Sequence, residues 1–129
     1  MAKEPNPAPL LTAGFESIRD DAAILRLVGE IDLSTVKILT QQFQVIAERE
    51  FRSVIIDATE VTFMDSTGLH AFVEGKRMVH ETGITIYLVP STQVSRVLEL
   101  AFPEPLFAGR FDSVEEALAA LDRPVETPS

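Results

Sequence analysis

The chain has 129 residues, 46% of them hydrophobic and 24% charged, which suits one globular domain with a core of its own. Eleven Lys/Arg against twenty Asp/Glu leave a net charge of −9, so neither nucleic acid nor an anionic membrane is expected as a direct partner, because both are held by clustered cations. The lack of Cys excludes a disulfide scaffold, a thiol nucleophile and a Cys-ligated zinc site, and no apolar run approaches the roughly 20 residues of a membrane-spanning helix.

Residues 1–14 contain Pro5, Pro7 and Pro9, show little periodicity and read as a loose extension. They lack the apolar stretch of a signal peptide, so the expected compartment is the cytoplasm. A short strand is predicted over 15–19, a turn at Asp20-Asp21, and a second strand over 23–28 that stops at Gly29; their spacing is that of an antiparallel hairpin. The period then changes. Val36, Leu39, Phe43 and Ile46 predict a helix over 35–48, with Asp32 or Ser34 as its N-cap. The apolar run 53–58 reads as a buried central strand. Leu69, Phe72, Val73 and Val79 predict a helix over about 67–80 that opens near Ser66 and stops at Gly83. A third interior strand is expected over 84–89, ended by Pro90. Val94, Val97, Leu98 and Ala101 predict a helix over 92–100, residues 106–108 a short edge strand, and Val114, Ala117, Leu118 and Leu121 a last helix over 113–121. Residues 122–129 read as a tail. Strand–helix–strand units imply parallel neighbours with right-handed crossovers. The expectation is one α/β domain over residues 15–121, with a mixed, largely parallel sheet of four to five strands and about four helices.

Enzyme signals are sparse. No glycine-rich phosphate loop follows a strand, and no His pair has metal-ligand spacing. His70 and His80 lie ten apart on one predicted helix, roughly 80° from a common face, and read as surface histidines. Neither a cofactor nor a metal is expected, and the chain is not expected to be an enzyme. Two segments stand out, both at the carboxyl ends of predicted strands, where open α/β sheets usually carry function. One is Gly29-Glu30-Ile31-Asp32-Leu33-Ser34. The other is Val61-Thr62-Phe63-Met64-Asp65-Ser66-Thr67-Gly68-Leu69. Each has a plainer reading: Asp32 as a helix-capping carboxylate, and Ser66 as the N-cap of a strand-to-helix turn. Against the second, Phe63-Met64 beside two hydroxyls and a carboxylate has the makings of an exposed contact surface.

"GEIDLSTVKIL", followed some thirty residues later by "VIIDATEVTFMDSTGLHAFVEGKR", resembles the STAS domain, and within that superfamily the bacterial anti-sigma factor antagonists. The similarity extends over about residues 15–121. It implies a STAS-like α/β fold and a regulatory binding protein in which Ser66, after the motif aspartate, is phosphorylated by an anti-sigma factor that is also a serine kinase. It implies further that the unmodified protein binds the anti-sigma factor and so frees a sigma factor, that a serine phosphatase resets the switch, and that Asp32 takes part in partner engagement. The partner-binding surface expected around Ser66 comprises Asp32, Phe63, Met64, Asp65, Thr67, Gly68 and Leu69. Weak self-association is left open. The competing implication is a STAS subunit of a lipid-transport or stress-signalling assembly with a mainly structural, protein-binding role; the intact Asp65-Ser66 pair and the acidic charge favour the switch. His70 departs from the small residue usual after Gly-Leu in this family, and Ala101-Phe102-Pro103 departs from the usual sequence after the third helix.

Overall fold

The computed structural model describes residues 10–101 and 109–121. Its elements run β1 (Leu11–Arg19), β2 (Ala22–Ile31), α1 (Val36–Glu48), β3 (Ser53–Met64), α2 (Ser66–His80), β4 (Thr85–Pro90), α3 (Thr92–Ala101), β5 (Gly109–Arg110) and α4 (Val114–Leu121). The strands form one sheet in the order β1-β2-β3-β4-β5. β1 pairs antiparallel with β2 through the Asp20-Asp21 turn, and every later pairing is parallel. This is the mixed, mostly parallel architecture expected from the alternating periods.

The sheet carries two apolar layers because its strands alternate. Leu25 and Leu27 of β2, Val54 and Ile56 of β3, and Ile86 and Leu88 of β4 meet Leu39, Phe43 and Ile46 of α1, Phe72 and Val79 of α2, and Val94 and Leu98 of α3. On the other face Ile24, Ile55 and Val89 pack with Ala117 of α4. α1 and α2 lean on each other through an edge-to-face pair, Phe43 and Phe72, with ring centroids 5.9 Å apart.

The differences from the sequence expectations at β1 and β3 have local causes, and β2 runs through Gly29, where a stop was expected, to Ile31. β1 begins at Leu11, earlier than 15, because Leu11 is buried in the core and Ala13 packs against the same core; residues 11–14 of the expected extension are therefore strand. The first nine residues, the strand expected at 106–108 and the 122–129 tail lie outside the described residues, and the edge strand that is described is Gly109–Arg110. The largest difference is β3, which continues past Ala58 to Met64. The β2–β3 register shifts twice, between Arg26 and Val28 and between Gly29 and Glu30, so β3 carries extra residues opposite β2. The side chains buried beyond Ala58 are accordingly Val61 and Met64, three apart rather than two.

Phe43→Ala should cost about 3–5 kcal/mol in urea denaturation, since it empties a fully buried site shared by two helices. Leu100→Ala, on a side chain 83% exposed, should change stability by no more than about 0.5 kcal/mol.

Candidate functional site at the carboxyl edge of β2 and β3

β2 and β3 end side by side, with Ile31 opposite Met64. The chain leaves β2 into the Asp32–Thr35 turn and leaves β3 directly into α2. The two turns are joined by a backbone bond in which the Asp65 N–H donates to the Ile31 carbonyl at 3.3 Å. The two segments singled out by sequence therefore lie on one edge of the sheet.

Asp32 organises the first turn. Its Oδ1 accepts from the Ser34 N–H at 2.9 Å, the Ser34 hydroxyl at 2.6 Å and the Thr35 N–H at 3.2 Å, while its carbonyl accepts from the Val36 N–H at 2.8 Å. The residue at the N-cap position is Thr35, whose side chain does not cap the helix. Its buried hydroxyl instead accepts from the Asp32 N–H at 3.0 Å and donates to the Glu30 carbonyl at 2.8 Å. Asp32 thus caps the turn that leads into α1. The Ser34 hydroxyl above all holds its carboxyl below the ordinary range; burial, next in size, opposes it, and the Ser34 and Thr35 N–H groups and the Thr35 hydroxyl add to the lowering.

In the second turn the N-cap is Asp65, not Ser66 as the sequence suggested. Asp65 Oδ1 accepts from the Thr67 N–H at 2.9 Å and the Gly68 N–H at 3.1 Å, and the Leu69 N–H bonds to the Asp65 carbonyl at 3.0 Å. A carboxylate one residue earlier reaches these donors with the extended backbone a cap requires. Ser66 becomes the first helical residue and is exposed, with Thr67 and Leu69 partly buried beside it. Gly68 is buried: a Cβ there would come within 2.6 Å of the Ile31 side chain and 2.7 Å of Met64. The missing side chain is what lets α2 start directly over the ends of both strands. Gly29, with φ of 121° and the Leu10 carbonyl where a Cβ would stand, allows the close approach of the chain entering β1 to β2.

The expected apolar pair Phe63-Met64 is divided. Phe63 is 41% exposed, but Met64 is 2% exposed and belongs to the core, because the shifted register turns it inward under Gly68. Met64 is therefore not on the exposed surface expected around Ser66. Its place on the surface is taken by Leu33, 78% exposed in the turn after Asp32, which sequence reasoning passed over although an apolar residue between Asp32 and Ser34 was a visible signal. Asp57, midway along β3, pairs in register with Arg26 and lies 3.7 Å from its guanidinium. Among the described residues no group of three His, Asp or Glu side chains has the arrangement of a metal site, and no helix is long and apolar enough to cross a membrane.

Asp65→Ala should lower stability by about 0.5–2 kcal/mol through loss of the cap, and Gly68→Ala by about 1–3 kcal/mol through overpacking against Ile31 and Met64; thermal melts check both. Because the Asp32 carboxyl is held low in the folded chain, its contribution is present above the ordinary aspartate value of about 3.9 and is lost as pH falls through the folded value. Asp32→Asn should accordingly flatten the decline in melting temperature below about pH 4 and leave the neutral-pH value near wild type, since an amide oxygen can accept the same bonds.

The chain is similar to several solved structures. An anti-sigma factor antagonist from Mycobacterium paratuberculosis superposes with a TM-score of 0.74 at 24% identity, covering 90% of this chain and 98% of that one. The Bacillus cell fate determinant SpoIIAA in its phosphorylated form gives 0.65 at 20% identity, covering 85% and 99%. The murine anion transporter Slc26a9 gives 0.68 at 18% identity over 85% of this chain but only 22% of the transporter. Such identities speak for a shared fold. Residues 17–117 match the STAS domain model, which is most of the chain, and with the same fold in these structures the chain belongs to the STAS domain family.

Proposed function

We propose that the chain is an anti-sigma factor antagonist. Unmodified, it binds an anti-sigma factor that is also a serine kinase, and thereby releases a sigma factor in the bacterial cytoplasm. Phosphorylation of Ser66 ends that binding, and a serine phosphatase restores it. The observation that carries this reading is the exposed Ser66, immediately after the capping Asp65, on the edge that also presents Asp32, Leu33 and Phe63. The fold shared with anti-sigma factor antagonists, one of them described as phosphorylated, supports it.

The physics of the switch follows from the surroundings. A phosphate adds a charge of about −1.5 to −2 beside Asp65 and close in the fold to the Asp32 turn. A partner seated on Leu33, Phe63 and the start of α2 must strip water from that charge. An uncompensated buried charge costs several kcal/mol, and each 1.4 kcal/mol is a factor of ten in affinity. No refolding is needed. The chain serves as ligand and phosphoacceptor, while the kinase brings ATP and Mg²⁺. Met64 has no part in the contact; Phe63, Leu33, Asp32, Thr67 and Leu69 frame it, and Gly68 sets the position of the helix.

Ser66→Ala should bind the kinase partner and accept no phosphate, and Ser66→Asp should bind at least tenfold more weakly. Thr67→Ala should remain a substrate, because Thr67 is the more buried hydroxyl. Pull-down with the cognate kinase, incubation with ATP and phosphopeptide mapping decide the matter; phosphate on Thr67, or full incorporation into Ser66→Ala, overturns the assignment. In the same assay Asp32→Asn, which keeps the turn but removes its charge, should slow phosphorylation if Asp32 engages the partner. A normal rate restricts Asp32 to shaping the turn.

A further inference from the structure

We propose that His70 is the built-in countercharge of the modified state, an imidazolium that pairs with a phosphate on Ser66. The inference rests on the phosphorylation reading above and adds the group that answers the new charge.

The start of a helix ordinarily offers unpaired N–H groups to an anion. Here they are largely taken: the Thr67 and Gly68 N–H groups bond to Asp65 Oδ1 and the Leu69 N–H to the Asp65 carbonyl. A phosphate on Ser66 must find its partner among side chains. Ser66 and His70 stand four apart on α2, and both are exposed. Residues at that spacing have Cβ atoms about 5–6 Å apart, and helical side chains tend to lean toward the N-terminus, which puts a phosphate on Ser66 within reach of the imidazole. Among the described residues His70 makes no hydrogen bond or ion pair. The next residue along the same ridge, Glu74, is held by Arg77 at 2.6 Å and leaves His70 unclaimed. The charged groups at the cap of α2 and at helical spacing from the pair are Asp65, Glu74 and Arg77, and the elements beside it carry Asp32, in the turn after β2, and Lys37, in the first turn of α1. β3 and β4 meet α2 through apolar side chains. Arg77 is engaged by Glu74 and Lys37 belongs to another helix, so His70 is the cation placed by helical spacing beside Ser66.

A phosphoserine loses its second proton near pH 6, and histidine is the side chain that changes charge between pH 5 and 8. Each stabilises the charged form of the other, so the dianion keeps His70 protonated closer to neutrality. The consequence is a graded switch: as pH falls toward 6, the charge that a partner meets at Ser66 is offset by one unit.

The test uses full-length protein with phosphoserine installed at position 66 during translation, so it does not depend on any kinase. Phosphorus NMR follows the second ionisation of the phosphate in wild type and in His70→Gln, and imidazole proton NMR follows His70 with His80 as internal control. The second ionisation is expected about half a pH unit lower in wild type than in His70→Gln, with His70 raised by a similar amount over the unmodified protein and His80 unmoved. A phosphate titration unchanged by His70→Gln, or a His70 shift no larger than that of His80, overturns the proposal. Failure of a kinase to modify Ser66 would sink the phosphorylation reading and leave this measurement standing.

Discussion

The parallel pairing of β2 with β3, carried to the last residue of both strands, is the constraint on which the rest depends. Ile31 opposite Met64 and the Asp65 N–H on the Ile31 carbonyl bring together two turns that are distant in sequence. Both side chains then form the floor on which α2 starts, at a spacing only Gly68 permits. A one-residue slip would turn Met64 outward, lift the start of α2 and separate the Asp32 turn from Ser66. Local geometry at the site and long-range order in the sheet are therefore one requirement.

Much of the fold was legible in the sequence because its elements follow simple periods. The α1 pattern Val36, Leu39, Phe43, Ile46, the uninterrupted apolar run of early β3 and the glycine after α2 each report one local rule, and α1, α2, α3 and α4 all fall within a residue of the helices expected. The site was legible in outline: Asp32 and Ser66 do share an edge. What escaped were consequences of pairing. The two register shifts in β3 replace a period of two by a period of three, so Phe63 faces solvent and Met64 the core, and no pattern within 58–64 announces this. Asp65 and Ser66 are both good caps by composition, and the choice between them depends on where the helix begins, which β3 sets by running to Met64.

Three carboxylates on β3 and the two turns have separate roles. Asp65 closes the start of α2, Asp32 shapes the turn into α1, and Asp57 sits on the sheet beside Arg26 and bonds to the Thr59 N–H and hydroxyl at 3.1 and 2.7 Å where the first register shift begins. Each is engaged by local donors. The apolar surface at the edge is likewise split between two turns, Leu33 on one and Phe63 on the other, so a partner that covers both reads their relative position as well as their chemistry.

The cap on α2 has a kinetic consequence. Asp65, not Ser66, holds the first turn of the helix, so the Ser66 side chain is no part of the structure that keeps that turn closed. An enzyme acting on Ser66 meets it without waiting for the helix to fray. If Ser66 is the phosphoacceptor proposed above, the speed of its modification is governed by encounter and by the enzyme's own chemistry, not by the opening of this turn.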